Sequence, residues 1–275
     1  MEITIRDDFD LRKIADSGQC FRFNEVAGSP RLFSVAASDR HIFIRNLGDG
    51  RYELDCDEDE YKSFWMNYFD LDLSYKEVRK RIDREDDPYL FAASEFGRGI
   101  RILRQDPWEM LISFIISQRK NIPAIKASIE KLCALAGEVI RTDERIGTVY
   151  SFPTPERLSA LSMEQLSSCS LGYRDKYVHQ AALDVTSGAV DLAALSELDD
   201  VRLMEELLKL FGVGVKVANC EILFGYHRLN AFPRDVWINR VLEEHYPGGF
   251  NFEAYEPYNG IMQQYLFFYG RLSSN

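Results

Sequence analysis

Short segments in which apolar and polar side chains alternate mark the first eighty or so residues, the two-residue period of half-buried strands. Leu32 to Val35, His41 to Arg45 and Tyr52 to Leu54 are the clearest. Between them lie Gly28-Ser29-Pro30 and Gly48-Asp49-Gly50, residues that permit or impose turns. This region reads as antiparallel β. After Asp86-Asp87-Pro88 the apolar spacing becomes three-and-four and stays helical to near the end. Asp106-Pro107, an N-cap with proline at the first helical position, opens Trp108 to Ile116, which is apolar nearly all round. That run predicts a central, buried helix. Further helices are expected over 122–136, 155–167, 173–187 and 200–210, with an aromatic-rich one from about 257 to 270. No solenoid-type repeat interrupts the pattern. The predicted fold class is α+β, with an antiparallel β-sheet domain at 1–85 and a mostly helical domain at 86–275.

Composition narrows the class. A chain of 275 residues, 46% of them hydrophobic, can bury a large core. Met1 is followed at once by Glu2, Arg6, Asp7 and Asp8, and no stretch approaches the roughly 18 apolar residues of a membrane span. A soluble intracellular protein without a membrane partner is expected, in cytoplasm or nucleoid if bacterial and in the nucleus if eukaryotic. The five cysteines (Cys20, Cys56, Cys133, Cys169, Cys220) are scattered, odd in number and without zinc-like or cluster-like spacing. No disulfide framework, metal or cofactor is expected, and nothing points to an obligatory protein partner, so a monomer is the expectation.

Charge gives a mixed signal. A net charge of −11 speaks against a nucleic-acid partner, because phosphate neutralisation supplies most non-specific affinity. The acid, however, is concentrated in Glu53 to Glu60 and around Asp199 to Glu206. Between Arg98 and Lys126, six basic residues face two acids, a local net of +4. One face can therefore meet DNA while the whole remains acidic.

The most informative segment runs from Leu207 through Phe211-Gly212-Val213-Gly214-Val215-Lys216 to Cys220. One helix ends, a Gly-x-Gly turn follows, and a second helix begins. The free amides of Gly212 to Gly214, with the positive end of the second helix behind them, suit a DNA phosphate. Taken alone, the pattern equally fits a plain helical hairpin. Lys216 adds chemistry. In the first turn of the second helix the dipole disfavours an ammonium, and a free amine is a nucleophile capable of Schiff-base formation. Downstream, Pro233-Arg234-Asp235-Val236 places a carboxylate just before an apolar-periodic helix. Asp235 reads both as an N-cap and as a rigidly held anion that can face Lys216.

These two segments together resemble the helix-hairpin-helix, Gly/Pro…Asp superfamily of DNA glycosylases. Three more are similar to its 8-oxoguanine glycosylase/AP lyase branch: Ser17-Gly18-Gln19-Cys20-Phe21-Arg22, Arg101 to Pro107 with Ser113-Phe114-Ile115, and Leu171-Gly172-Tyr173-Arg174-Asp175-Lys176-Tyr177. The matches run in order from about residue 16 to 267. The resemblance implies a bifunctional enzyme of base excision repair acting on duplex DNA that contains 8-oxoguanine. Lys216 would attack the sugar's anomeric carbon and Asp235 would stabilise the oxocarbenium-like charge. Gly18 would read the lesion through its carbonyl, Phe267 and Cys220 would sandwich the flipped base, and Gln263 would bond its polar edge, with Pro233 also among the substrate-binding residues. Gln263 and Phe267 lie four apart, hence on one helix face. Arg119, Lys120, Asn121, Arg174, Gly212, Gly214 and Trp237 would contact DNA.

Two departures stand out. Where the family carries an asparagine run, this chain reads Ser117-Gln118-Arg119-Lys120-Asn121, which leaves the preference for cytosine opposite the lesion open. Trp237 replaces a common histidine. Two other readings are compatible with the hairpin alone: a glycosylase of the same superfamily for another damaged base, or a non-catalytic DNA-binding module. Branches acting on alkylated bases generally lack a lysine at this position, and a hairpin binder needs neither Lys216 nor Asp235 in a shared pocket.

Overall fold

Five strands, β1 (Glu2–Thr4), β2 (Phe23–Glu25), β3 (Leu32–Ala37), β4 (Arg40–Gly48) and β5 (Arg51–Leu54), form one antiparallel sheet ordered β1-β5-β4-β3-β2. The computed structural model describes residues 1–273. Register follows the apolar positions: Val35 pairs with Ile42, Phe33 with Ile44, and Ile44 with Leu54. All five are buried and pack on Phe23, Trp65 and Phe69. Trp65 belongs to, and Phe69 caps, a helical segment that covers this face, Glu58–Glu60 continuing through Tyr61–Trp65 and Met66–Tyr68.

The expectation that the chain stays helical after residue 88 is overturned in one place. Strands β6 (Val139–Asp143) and β7 (Gly147–Tyr150) form a hairpin within the helical part. It rests on the outer side of the sheet, where Ile146 packs on Val26, Leu32 and Phe43, and Arg141 pairs with Asp55 at 2.6 Å. β-Branched Val139, Ile140 and Thr142 suit a strand, and Gly147 takes φ +77° at the turn. The helix expected over 155–167 is also divided, into Pro155–Ser159 and Met163–Ser168. Ser162 and Gln165 close a reciprocal capping box that starts the second piece afresh.

The central helix is Pro107–Ser117, capped by Asp106, whose carboxylate accepts from the Glu109 amide at 2.9 Å. Every residue from Trp108 to Ser117 is buried. Leu111, Ile112, Ile115 and Ile116 are wholly inaccessible, and each such side chain contributes about 1.5–3 kcal/mol. Around it stand the helices that carry the candidate site: Ile122–Ala136, Asp175–Thr186, Asp200–Lys209, Val215–Cys220, Val236–His245 and Asn259–Ser273. The sheet is bound to this bundle by buried polar contacts. Arg101 donates to the carbonyls of Asp8 and Phe69 at 2.8 and 3.1 Å, and Arg22 pairs with Glu130 at 2.9 Å. Among the described residues no helix is long and apolar enough to cross a membrane.

Candidate active site

The helix Asp200–Lys209 ends before a tight turn, and Val215–Cys220 starts after it with Gly214 as its N-cap. Gly212 has φ +84°, and a Cβ there would lie 2.2 Å from Tyr177 Cγ, so the position needs glycine twice over. The amides of Val215 and Lys216 make no hydrogen bond among the described residues, as expected of a helix start left open for a ligand. Lys216 is the second residue of this helix. Its Nζ stands 3.4 Å from Ser117 Oγ and 5.0 Å from the centre of the Phe114 ring. Ser117 donates its own proton to the Phe114 carbonyl at 2.8 Å, so it offers only lone pairs to the amine. One turn on, burial pushes the Cys220 thiol up, partly opposed by neighbouring Lys216, and the sulfur stays a neutral thiol.

Asp235 caps Val236–His245, accepting from the Ile238 amide at 2.9 Å. Gln263, 3% exposed, donates to the Pro233 carbonyl at 3.0 Å and accepts from Gln264 at 3.0 Å. A carbonyl partner requires the NH2 group on that side, which fixes the orientation of the amide. Gly18, at φ +79°, lies so close to Phe267 that a Cβ would stand 3.1 Å from the ring. Its loop is held from behind. Wholly buried Gln19 donates to Ser17 Oγ and the Arg101 carbonyl at 2.8 Å each, and accepts from the Leu103 amide at 2.8 Å. The Gly18 carbonyl takes part in no hydrogen bond among the described residues.

Lys216, Asp235, Gly18, Cys220, Pro233, Gln263 and Phe267 all line one inner pocket of about 50 Å³. It adjoins a cleft of about 1150 Å³, bordered also by Arg119, Lys120, Asn121, Gly214 and Trp237. Two residues singled out in the sequence stand apart. Arg174 is 7% exposed and lies beneath the loop, donating through Nε to the Gln118 carbonyl at 2.7 Å and through Nη1 to Leu171 at 3.0 Å. Gly212 faces Tyr177, and its carbonyl accepts from Gln118 at 3.0 Å.

The cleft also contains residues the sequence did not mark as functional. Phe114 and Phe224 stack at 5.3 Å beneath Lys216, and Gln264 adjoins Gln263 in the inner pocket. Arg234, Asn239 and Arg271 border the outer cleft. Phe114 lies on an all-apolar helix, where a pocket wall and a core position look alike. Arg271 carried a readable signal, being four residues past Phe267 on the same face.

Residues 2–111 match the family of the 8-oxoguanine DNA glycosylase N-terminal domain, and residues 112–250 match the HhH-GPD superfamily of base excision DNA repair proteins. The chain belongs to the 8-oxoguanine DNA glycosylase family. It is 35% identical to an N-glycosylase/DNA lyase of Saccharomyces cerevisiae over 265 residues, 88% of this chain and 69% of that protein. Two solved structures of family members superpose over its whole length. One is MBOgg1 bound to a low-affinity DNA ligand, with TM-score 0.92, 36% identity and 96% of that chain covered. The other is the Clostridium acetobutylicum 8-oxoguanine glycosylase/lyase on double-stranded DNA with cytosine opposite 8-oxoG, with TM-score 0.88, 32% identity and 99% covered. The family accounts for the α+β architecture, sheet first and helical hairpin domain after. Among the described residues of this family member, no three His, Cys, Asp or Glu side chains are grouped to hold a metal ion.

Proposed function

We propose that this chain excises 8-oxoguanine from duplex DNA by amine catalysis at Lys216 and then nicks the strand. The observation that carries the reading is the shared inner pocket. A candidate nucleophile, a capped carboxylate, an uncommitted carbonyl, a thiol, an amide and an aromatic ring converge there from four separate parts of the chain. The target nucleotide flips out of the duplex into the cleft, as chemistry on a base requires. The Lys216 amine attacks C1′ of the sugar through its nitrogen lone pair. The C1′–N9 bond breaks, and the base leaves with its electron pair and takes up the proton that the amine releases. The Asp235 carboxylate stabilises the positive charge that develops on the sugar, and its rigid cap contact means little reorganisation accompanies the step. Ring opening gives an imine between Lys216 and C1′. Loss of a C2′ proton then expels the 3′ phosphate and nicks the strand.

Discrimination falls to Gly18. In guanine, N7 is an acceptor, whereas in 8-oxoguanine it carries a hydrogen. A fixed carbonyl accepts from the lesion and meets a lone pair in guanine, a mismatch of about 1–3 kcal/mol. Phe267 supports one face of the base, Cys220 the other, and Gln263 bonds its polar edge. Gly212 to Gly214, Arg119 and Trp237 serve the DNA backbone, while Lys120, Asn121 and Arg174 act through the loop shape they hold against the duplex. Excision from otherwise identical duplexes holding 8-oxoguanine, an alkylpurine or an oxidised pyrimidine tests the assignment. The expected result is strong preference for 8-oxoguanine; equal release of all three would exclude Gly18 as the reader.

A further inference from the structure

The helix face that presents Gln263 and Phe267 continues one turn further to Arg271, which borders the cleft beside Asp235 and Trp237. Its side chain is only partly committed. Nη2 donates to the Asp16 carbonyl, at the end of the helix that leads into the Gly18 loop. The guanidinium lies 5.3 Å from the centre of the Phe267 ring and 5.9 Å from that of Phe268. Nε is buried and has no hydrogen-bond partner among the described residues. No acid pairs with Arg271 among the described residues, although it lies within electrostatic reach of Asp16 and Asp235. A desolvated cationic donor without an acceptor is costly, so the arrangement suits a site completed by a ligand.

The other cations of the cleft wall narrow what that ligand is. Lys120 is tied to the Ser170 carbonyl at 2.6 Å, Arg234 to Asn239 at 3.1 Å, Lys216 is placed for nucleophilic attack, and Arg119 is exposed on the outer loop rather than buried beside the inner pocket. A nucleotide turned into the cleft carries its charge on its flanking phosphates alone, the base and sugar being neutral. The fork of a guanidinium matches phosphate oxygens, and stacking on an aromatic ring holds that fork in plane. We propose that Arg271 binds a backbone phosphate of the flipped nucleotide. The inference rests on the reading that a nucleotide enters this cleft, but not on which base it carries. A slight turn of the guanidinium toward the cleft gives Nε its acceptor, while the contact with Asp16 anchors the Gly18 wall to the same phosphate.

The test uses a duplex with a tetrahydrofuran abasic analogue, which presents the sugar and phosphates with no base, so an error in the lesion assignment would not affect it. Affinities of the full-length wild type, Arg271→Met and Arg271→Lys are measured against salt. Methionine keeps apolar packing on Phe267 and Phe268, and lysine keeps the charge. The expected result for Arg271→Met is about tenfold weaker binding at low salt, with the slope of log K against log salt shallower by about 0.9. Arg271→Lys recovers most of that slope, and undamaged duplex binds all three proteins alike. A neutral methylphosphonate at the 5′ or the 3′ phosphate of the analogue weakens the wild type. At one of these positions it costs Arg271→Met nothing further. Unchanged slopes in Arg271→Met, or equal methylphosphonate penalties in both proteins at both positions, would overturn the proposal. A lowered Tm with unchanged slopes would leave Arg271 only the structural role of holding Asp16.

Discussion

The floor of the pocket and the rim of the cleft use similar polar residues in opposite ways. At the floor the Gly18 loop and the polar side chains are each fixed by a protein contact that leaves one group open. Gln19 fixes the loop while the Gly18 carbonyl is uncommitted, and Pro233 orients the Gln263 amide. Ser117 steadies Lys216 while the Ile238 amide occupies one oxygen of Asp235. On the rim the groups are already occupied. Lys120 is bound to Ser170, Asn121 caps the next helix, Gln118 bonds Gly212, and Arg174 holds the Gln118 carbonyl. Within the 118–121 loop, Arg119 alone is exposed without a side-chain partner among the described residues, at φ +50°. The floor is preorganised for one chemistry, whereas the rim is a scaffold that leaves little free to read an orphaned base.

The largest effect expected of breaking this contrast is at Asp235. Asparagine is as good an N-cap, so Asp235→Asn keeps the helix and removes the charge. Single-turnover excision should fall about 100-fold or more with a nearly unchanged urea midpoint. A large stability loss instead would make Asp235 chiefly a cap. Next comes Gln19→Ala, which strands the Leu103 amide and the Arg101 carbonyl in the interior. Urea unfolding should show a loss of at least about 2 kcal/mol, and preference for 8-oxoguanine over guanine should narrow. If discrimination survives that loss, the Gly18 loop needs no such mount.

At the rim, Gly212→Ala meets both a left-handed backbone and the Tyr177 ring. A cost of about 1–3 kcal/mol is expected, with weaker binding of any duplex, damaged or not. The smallest effects separate two neighbouring cations. Arg119→Ala should change stability by less than about 0.5 kcal/mol and lower the salt slope of duplex binding by about one. Lys120→Ala should leave that slope unchanged, since its ammonium is already held by the protein. Equal slopes for the two variants would erase the distinction between free and committed rim residues.

What was legible in the sequence follows the same division. Asp106-Pro107, Gly212-x-Gly214 and Pro233…Asp235 announce local geometry through local chemistry, and each lies where that chemistry requires. Strands β3, β4 and β5 showed because turn residues bracket their short apolar-rich runs, although burial alternates cleanly only in β5. The β6–β7 hairpin did not, because Val139 and Thr142 are exposed and it gains its place by resting on Phe43 and Asp55, far away in sequence. Gln19 looked like one member of a motif, and its bonds to residues 101 and 103 exist only after folding. Arg174 read as an orphan-base contact only by resemblance to the family; its burial beneath Gln118 is a tertiary fact. Phe224 and Gln264 gave no signal, since a pocket wall and a core stripe share one periodicity.

Borohydride trapping on a duplex containing 8-oxoguanine decides whether Lys216 is the nucleophile. The wild type is expected to give a covalent protein–DNA adduct and Lys216→Gln none. No wild-type adduct, or an adduct that persists in Lys216→Gln, would contradict that role.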